Sequence, residues 1–97
     1  MTGKQRAYLR GLANGLDTIL YVGKGGLSEN VIKQADEALT ARELVKGRVL
    51  EASLMTAAEA CQALAEATGA EGVQSIGSRF VLYRAHPTEP KIRLPKA

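Results

Sequence analysis

The run YVGKGGLSENVIKQADEAL, Tyr21 to Leu39, sets an apolar β-prone segment, a glycine cluster and an amphipathic helix in immediate succession. That order demands a strand that turns sharply into a helix. Val31, Ile32, Ala35, Ala38 and Leu39 form the apolar stripe of the helix. Ser28 is a natural N-cap, and Glu29 in the first turn suits the helix dipole. Gly23, Gly25 and Gly26 flank Lys24, and glycines lose backbone entropy on folding, so a turn or a ligand must need their freedom.

The rest of the chain supplies the partners of this unit. Thr2 and Gln5 match a capping box that opens a first helix. Tyr8, Leu9, Leu12, Ala13 and Leu16 share one broad face of it, Arg6 and Arg10 flank that face, and Asn14-Gly15 ends the helix. Thr18 to Val22 is the first strand. ELVKGRVL alternates, with Val45, Gly47 and Val49 facing one way and Leu44, Lys46, Arg48 and Leu50 the other. An Ala-rich helix runs from about Met55 to Thr68, ended by Gly69. VQSIGSRFVLYR reads as a hairpin with a type II′ turn at Gly77-Ser78. The tail from about residue 86 is irregular, with at most a short strand at Ile92–Leu94. The order α-β-α-β-α-β-β describes an α/β fold, one small mixed sheet packed with three helices, over a single domain of residues 1–97. No linker or internal repeat interrupts it.

Charge and cysteine usage narrow the function. Thirteen Lys and Arg against ten Asp and Glu give a net charge of +3, so where the charges lie matters more than their sum. Asp36, Glu37, Glu59 and Glu66 fall in helices, whereas strands and loops carry mainly Lys and Arg. The lone cysteine, Cys61, precludes an internal disulfide and reads as a buried small residue. His86 is also alone, so no Cys–His pair or metal-ligand cluster stands out, and no cofactor is expected. No apolar run approaches the ~20 residues that span a bilayer, and the N-terminus lacks a signal-peptide core. A cytoplasmic monomer with no membrane partner is expected.

A strand, glycine loop and helix can present free N–H groups and a helix N-terminus to an anion. Two nucleotide cradles fail on the residues. A dinucleotide fingerprint from Gly23 needs glycine or alanine where Ser28 stands, and no Gly-Lys pair is followed by Ser or Thr as a Walker A loop requires. A plain turn and a G-x-x-G clamp on a nucleic-acid backbone remain. Lys46 and Arg48 share a strand face, Arg79 and Arg84 bracket the last strand, and Arg6 and Arg10 line a helix edge. A basic stripe beside a loop bearing Lys24 favours a nucleic-acid strand over a small metabolite. Tyr21 and Phe80 are expected in the core, so recognition would read backbone and shape.

Several separated motifs resemble the CRM-domain, or YhbY-like, family of RNA-binding proteins. They are T-x-K-Q with following leucines (Thr2, Lys4, Gln5, Leu9, Leu12), VGKGGLSENVI (Val22 to Ile32), ARELVKGRVL (Ala41 to Leu50), Thr68-Gly69, IGSRFVLYR (Ile76 to Arg84) and KIRLP (Lys91 to Pro95). The resemblance implies a fold similar to the C-terminal domain of bacterial translation initiation factor three. It also implies RNA binding without catalysis, with ribosomal RNA in large-subunit precursors as the partner and ribosome assembly as the role. The family's loop carries over onto Gly23, Lys24, Gly25 and Gly26, and its basic positions onto Lys4, Lys46 and Arg84. Spacing and charge add Arg10, Arg48 and Arg79. Gly47 departs from the β-branched residue frequent in relatives, and a glycine inside a strand weakens it or marks a bulge.

Two competing readings use the same features. A phosphate-handling enzyme would need a base near the loop, and Glu29 is the nearest candidate, more simply explained as a first-turn helix residue. A protein–protein adaptor would dock on ribosomal or assembly-factor partners through the Ala-rich helix.

Overall fold

Four strands form one mixed sheet in the order β1-β2-β4-β3. They are β1 (Thr18–Val22), β2 (Leu44–Val49), β3 (Glu71–Ile76) and β4 (Arg79–Tyr83), interleaved with α1 (Gly3–Ala13), α2 (Glu29–Arg42) and α3 (Ala57–Thr68). The computed structural model describes residues 1–96; Ala97, the last residue of the expected domain, lies outside them. β1 and β2 are parallel, and β4 runs antiparallel to both β2 and β3. The C-terminal ends of β1, β2 and β3 therefore meet the start of β4 at one end of the sheet.

The helices divide between the two faces. α2 and α3 pack together over one face, on a core built around Leu20, Leu39, Val45, Leu64, Phe80 and Leu82. α1 crosses the other face alone, where Leu9 and Ala13 meet Leu44, Val73, Val81 and Tyr83. Because α1 has no helical neighbour, only the middle of its expected apolar face is buried. Tyr8, Leu12 and Leu16 stay partly exposed. Each helix starts as its sequence dictates, with Thr2 and Thr56 closing capping boxes and Ser28 accepting from the Val31 amide. Only Gly77 of the hairpin turn has positive φ, as a type II′ turn requires.

Gly47 neither bulges nor interrupts its strand. It pairs with Leu20 on one side and Phe80 on the other. The irregularity sits in the partner strand instead, between Thr18 and Leu20. The reason for the glycine is steric: a Cβ at position 47 would lie under 3.0 Å from three ring atoms of Phe80. The Phe80 ring thus lies directly over the strand, 1% exposed, at the centre of the larger core.

Glu43, unremarked in the sequence, closes the other end of the sheet. It follows α2 with φ 65, a conformation that costs a non-glycine residue about 1–3 kcal/mol. Its N–H donates to the Leu39 carbonyl at 2.9 Å and its carbonyl accepts from the Arg84 amide at 2.8 Å. The buried carboxylate accepts from the amides of His86 at 3.0 Å, Lys91 at 2.7 Å and Ile92 at 3.1 Å. One side chain thereby anchors the tail. Ile92 and Leu94 pack on the α1-side core without forming the short strand the sequence allowed.

Two outcomes follow. Gly47→Val should lower unfolding stability by about 1–3 kcal/mol through overpacking, read by urea denaturation, with Phe80→Leu in the same chain restoring part of it. Burial pushes the Glu43 carboxyl up, but the three amide donors and the nearby His86 outweigh it and hold it below its ordinary 4.5. Its contribution is therefore present above that value and is lost as the pH falls through the folded pKa. Glu43→Gln should cost about 1–3 kcal/mol at neutral pH and flatten the acid limb of a stability–pH curve. An unaltered acid limb would show that Glu43 does not hold the tail.

Candidate nucleic-acid interface

The glycine loop is a tight turn. The Gly26 amide donates to the Gly23 carbonyl at 3.0 Å, which consumes one of the expected free N–H groups. Gly26 has φ +66 and so needs to be glycine. Gly25 has no such need: its φ is not positive, and a Cβ there would meet nothing within 4 Å. Lys24 and Gly25 stand exposed at the tip. Within the described residues their amides make no hydrogen bond. The fold explains one glycine of the tip, Gly26, and the side of Gly25 is open.

Beside this turn the strand register builds a row of side chains across the whole sheet. Tyr21 on β1 pairs with Arg48 on β2, Arg48 pairs with Arg79 on β4, and Arg79 pairs with Ile76 on β3. Residues paired in register share a face. Lys46, two residues before Arg48, reaches the Ala13 carbonyl of α1, which places the row on the α1 face of the sheet. α1 leaves it open: Tyr21 is 48% exposed, Ile76 66%, and both arginines are exposed. Adjacent strands lie about 4.8 Å apart, so the row is roughly 14 Å long. Leu50 and Leu54, both exposed, lie in the loop that leaves the same end of β2.

Arg48 and Arg79 face each other across β2 and β4 and make no ion pair among the described residues. Like charges directly opposite in a sheet are destabilising. The pair is therefore a local defect of the isolated chain that an external anion would relieve.

The other predicted basic residues separate by role. Lys4 and Arg10 are exposed on α1 without an ion pair among the described residues. The Lys46 ammonium lies 3.4 Å from the carbonyl of Ala13, at the negative end of α1. Arg6 donates to the Gly72 and Val73 carbonyls, where the β3 ladder shifts register. Arg84 is committed within the fold. Its guanidinium donates to Asp36 Oδ1 at 2.6 Å, the Thr68 carbonyl at 2.7 Å, the Asp36 carbonyl at 3.0 Å and Thr40 Oγ1 at 2.9 Å. It joins α2 to α3 at the far end of β4, about 17 Å along the strand from Arg79. The expected continuous stripe thus resolves into Lys24, Arg48 and Arg79 at the open end, and Lys46 and Arg84 as internal braces. Phe80 is in the core as expected, but Tyr21 is not. The alternation of β1 carried that signal, because Leu20 and Val22 point inward and leave Tyr21 outward.

Glu29 is an exposed first residue of α2. Cys61 is buried, with its thiol within 4 Å of the Gln74 and Val81 carbonyls, and burial raises its pKa against the opposing charge of Arg6. Among the described residues no cluster of His, Cys, Asp or Glu could hold a metal ion, and no helix is long and apolar enough to cross a membrane.

Comparison with known proteins bears on the family and the fold. The family model described as the CRS1 / YhbY (CRM) domain matches residues 1–84. The chain is 42% identical over 95 residues to the Bacillus subtilis protein named "Probable RNA-binding protein YqeI", covering 98% of this chain and 99% of that one. It is 38% identical over 96 residues to a Haemophilus influenzae protein named "RNA-binding protein", covering 99% and 96%. A Staphylococcus aureus protein solved in solution superposes with a TM-score of 0.82 at 47% identity, covering 98% of this chain and 99% of that one. On motif, fold and sequence together, the chain belongs to the CRS1/YhbY (CRM) domain family.

Proposed function

We propose that this chain is a non-catalytic RNA-binding protein that grips RNA at the open end of its sheet. The observation that carries the reading is the unneutralised Arg48–Arg79 pair beside a glycine turn whose Gly25 the fold does not require. The exposed amides of Lys24 and Gly25 receive a phosphate, Lys24 neutralises it, and the two arginines hold neighbouring phosphates. Lys4 and Arg10 add positive charge on α1, which lies on the same face. The relatives named above are called RNA-binding proteins, which supports RNA as the partner. The resemblance to single-domain bacterial members supports the finer proposal: a cytoplasmic protein that contacts ribosomal RNA during assembly of the large subunit.

Electrostatic contact makes the reading testable through salt. Gly25→Asp should abolish most RNA affinity while leaving the unfolding midpoint near that of the parent. Arg48→Ala and Arg79→Ala should each flatten the log–log salt dependence by roughly 0.7 for single-stranded RNA. Arg84→Ala should instead lower thermal stability and leave that slope unchanged. On sucrose gradients of cell extract, the protein should travel with particles near the large subunit at low salt and leave them at moderate salt. Migration at the top of the gradient in both conditions would remove the ribosomal assignment.

A further inference from the structure

Tyr21 is the one aromatic side chain in the exposed row, and its placement bears on which form of RNA the row accepts. Its hydroxyl donates to the Thr18 carbonyl of its own strand at 3.3 Å. The ring therefore lies back along β1, and nearly half of the residue is open to solvent. β1 is an edge strand, so no further strand covers it. Burying an aromatic of this size is worth about 1.5–3 kcal/mol, and the fold leaves much of that unrealised at Tyr21 while burying Phe80 and Tyr83 almost completely. Arg48 stands beside it in register, and the glycine turn begins two residues later.

From this juxtaposition we infer that the row is a platform for single-stranded RNA, with a nucleobase stacked on Tyr21 and the flanking phosphates held by Arg48, Arg79 and the Lys24 turn. The inference rests on the RNA reading above and adds the strandedness of the ligand. An A-form duplex turns its bases inward and offers a protein phosphates and 2′-hydroxyls, whereas unpaired bases splay out and stack on aromatic side chains. A surface of arginines alone would suit either form. The aromatic at the same register, next to two cations that make no ion pair among the described residues, suits a base together with its backbone. Every base has a stacking face, so the platform reads little sequence.

Fluorescence anisotropy with two probes tests the inference: a short labelled uridine oligomer, and a fully paired labelled RNA hairpin. The parent protein should prefer the oligomer. Tyr21→Val, which keeps strand propensity, should weaken oligomer binding by about fivefold or more without changing the salt slope or the hairpin affinity. Tyr21→Phe, which loses only the bond to Thr18, should bind like the parent. Equal oligomer affinity for the parent and Tyr21→Val, or a parent that prefers the hairpin, would overturn the platform while leaving RNA binding in place. Failure of the parent to bind either probe would overturn the RNA reading itself.

Discussion

The close approach of Phe80 to Gly47 holds the register of the sheet, and the register builds the surface. Only a strand without a Cβ at position 47 lets the far edge of the ring come so close. The Gly47–Phe80 pair is adjacent to the Arg48–Arg79 pair in the same ladder. A slip of one residue would turn Phe80 out of the core and send the arginines to the other face. The most buried aromatic and two exposed cations are thus set by one steric contact. Glycine at 47 serves the core directly and the exposed row through it.

The basic residues divide according to what surrounds them. Arg6, Lys46 and Arg84 end on backbone carbonyls or, for Arg84, also on Asp36 and Thr40. Each satisfies acceptors left over where a helix ends or a strand shifts register. Among the described residues Lys24, Arg48 and Arg79 make no ion pair, and they lie where three strands finish and the fourth begins. A strained Glu43 organises the opposite end by gathering three tail amides onto one carboxylate. The molecule therefore has a closed end, where its charges are matched internally, and an open end, where they are not.

Much of the fold could be read directly, because its signals are local. Caps at Thr2 and Ser28, the Gly77-Ser78 turn and the period of each element depend on residues close in sequence, whereas the third helix starts two residues after the expected Met55, at Ala57 behind a Thr56 cap. What escaped depends on partners far apart in the chain. Arg84 and Lys46 looked like free cations because Asp36 and Ala13 are 48 and 33 positions away. Gly47 looked like a weak point because its reason, Phe80, lies across the sheet. Tyr21 was hidden because Ile19, Leu20 and Val22 all pack toward the core, so that with the bulge before Leu20 the alternation of β1 is confined to its last three residues. Of the four basic positions read from strand spacing, Arg48 and Arg79 lie in the open row, whereas Lys46 and Arg84, which the family resemblance also marked, make contacts within the fold.

The central claim is that RNA meets the open end of the sheet and leaves the closed end alone. Amide chemical-shift mapping of the isotope-labelled chain during titration with a single-stranded RNA tests it most directly. The account predicts that the largest changes fall on Lys24, Gly25, Arg48 and Arg79, with Tyr21 among them and with Glu43, Arg84 and the tail amides nearly still. Changes centred on Glu43, Arg84 and Lys91, with the glycine turn unmoved, would contradict it.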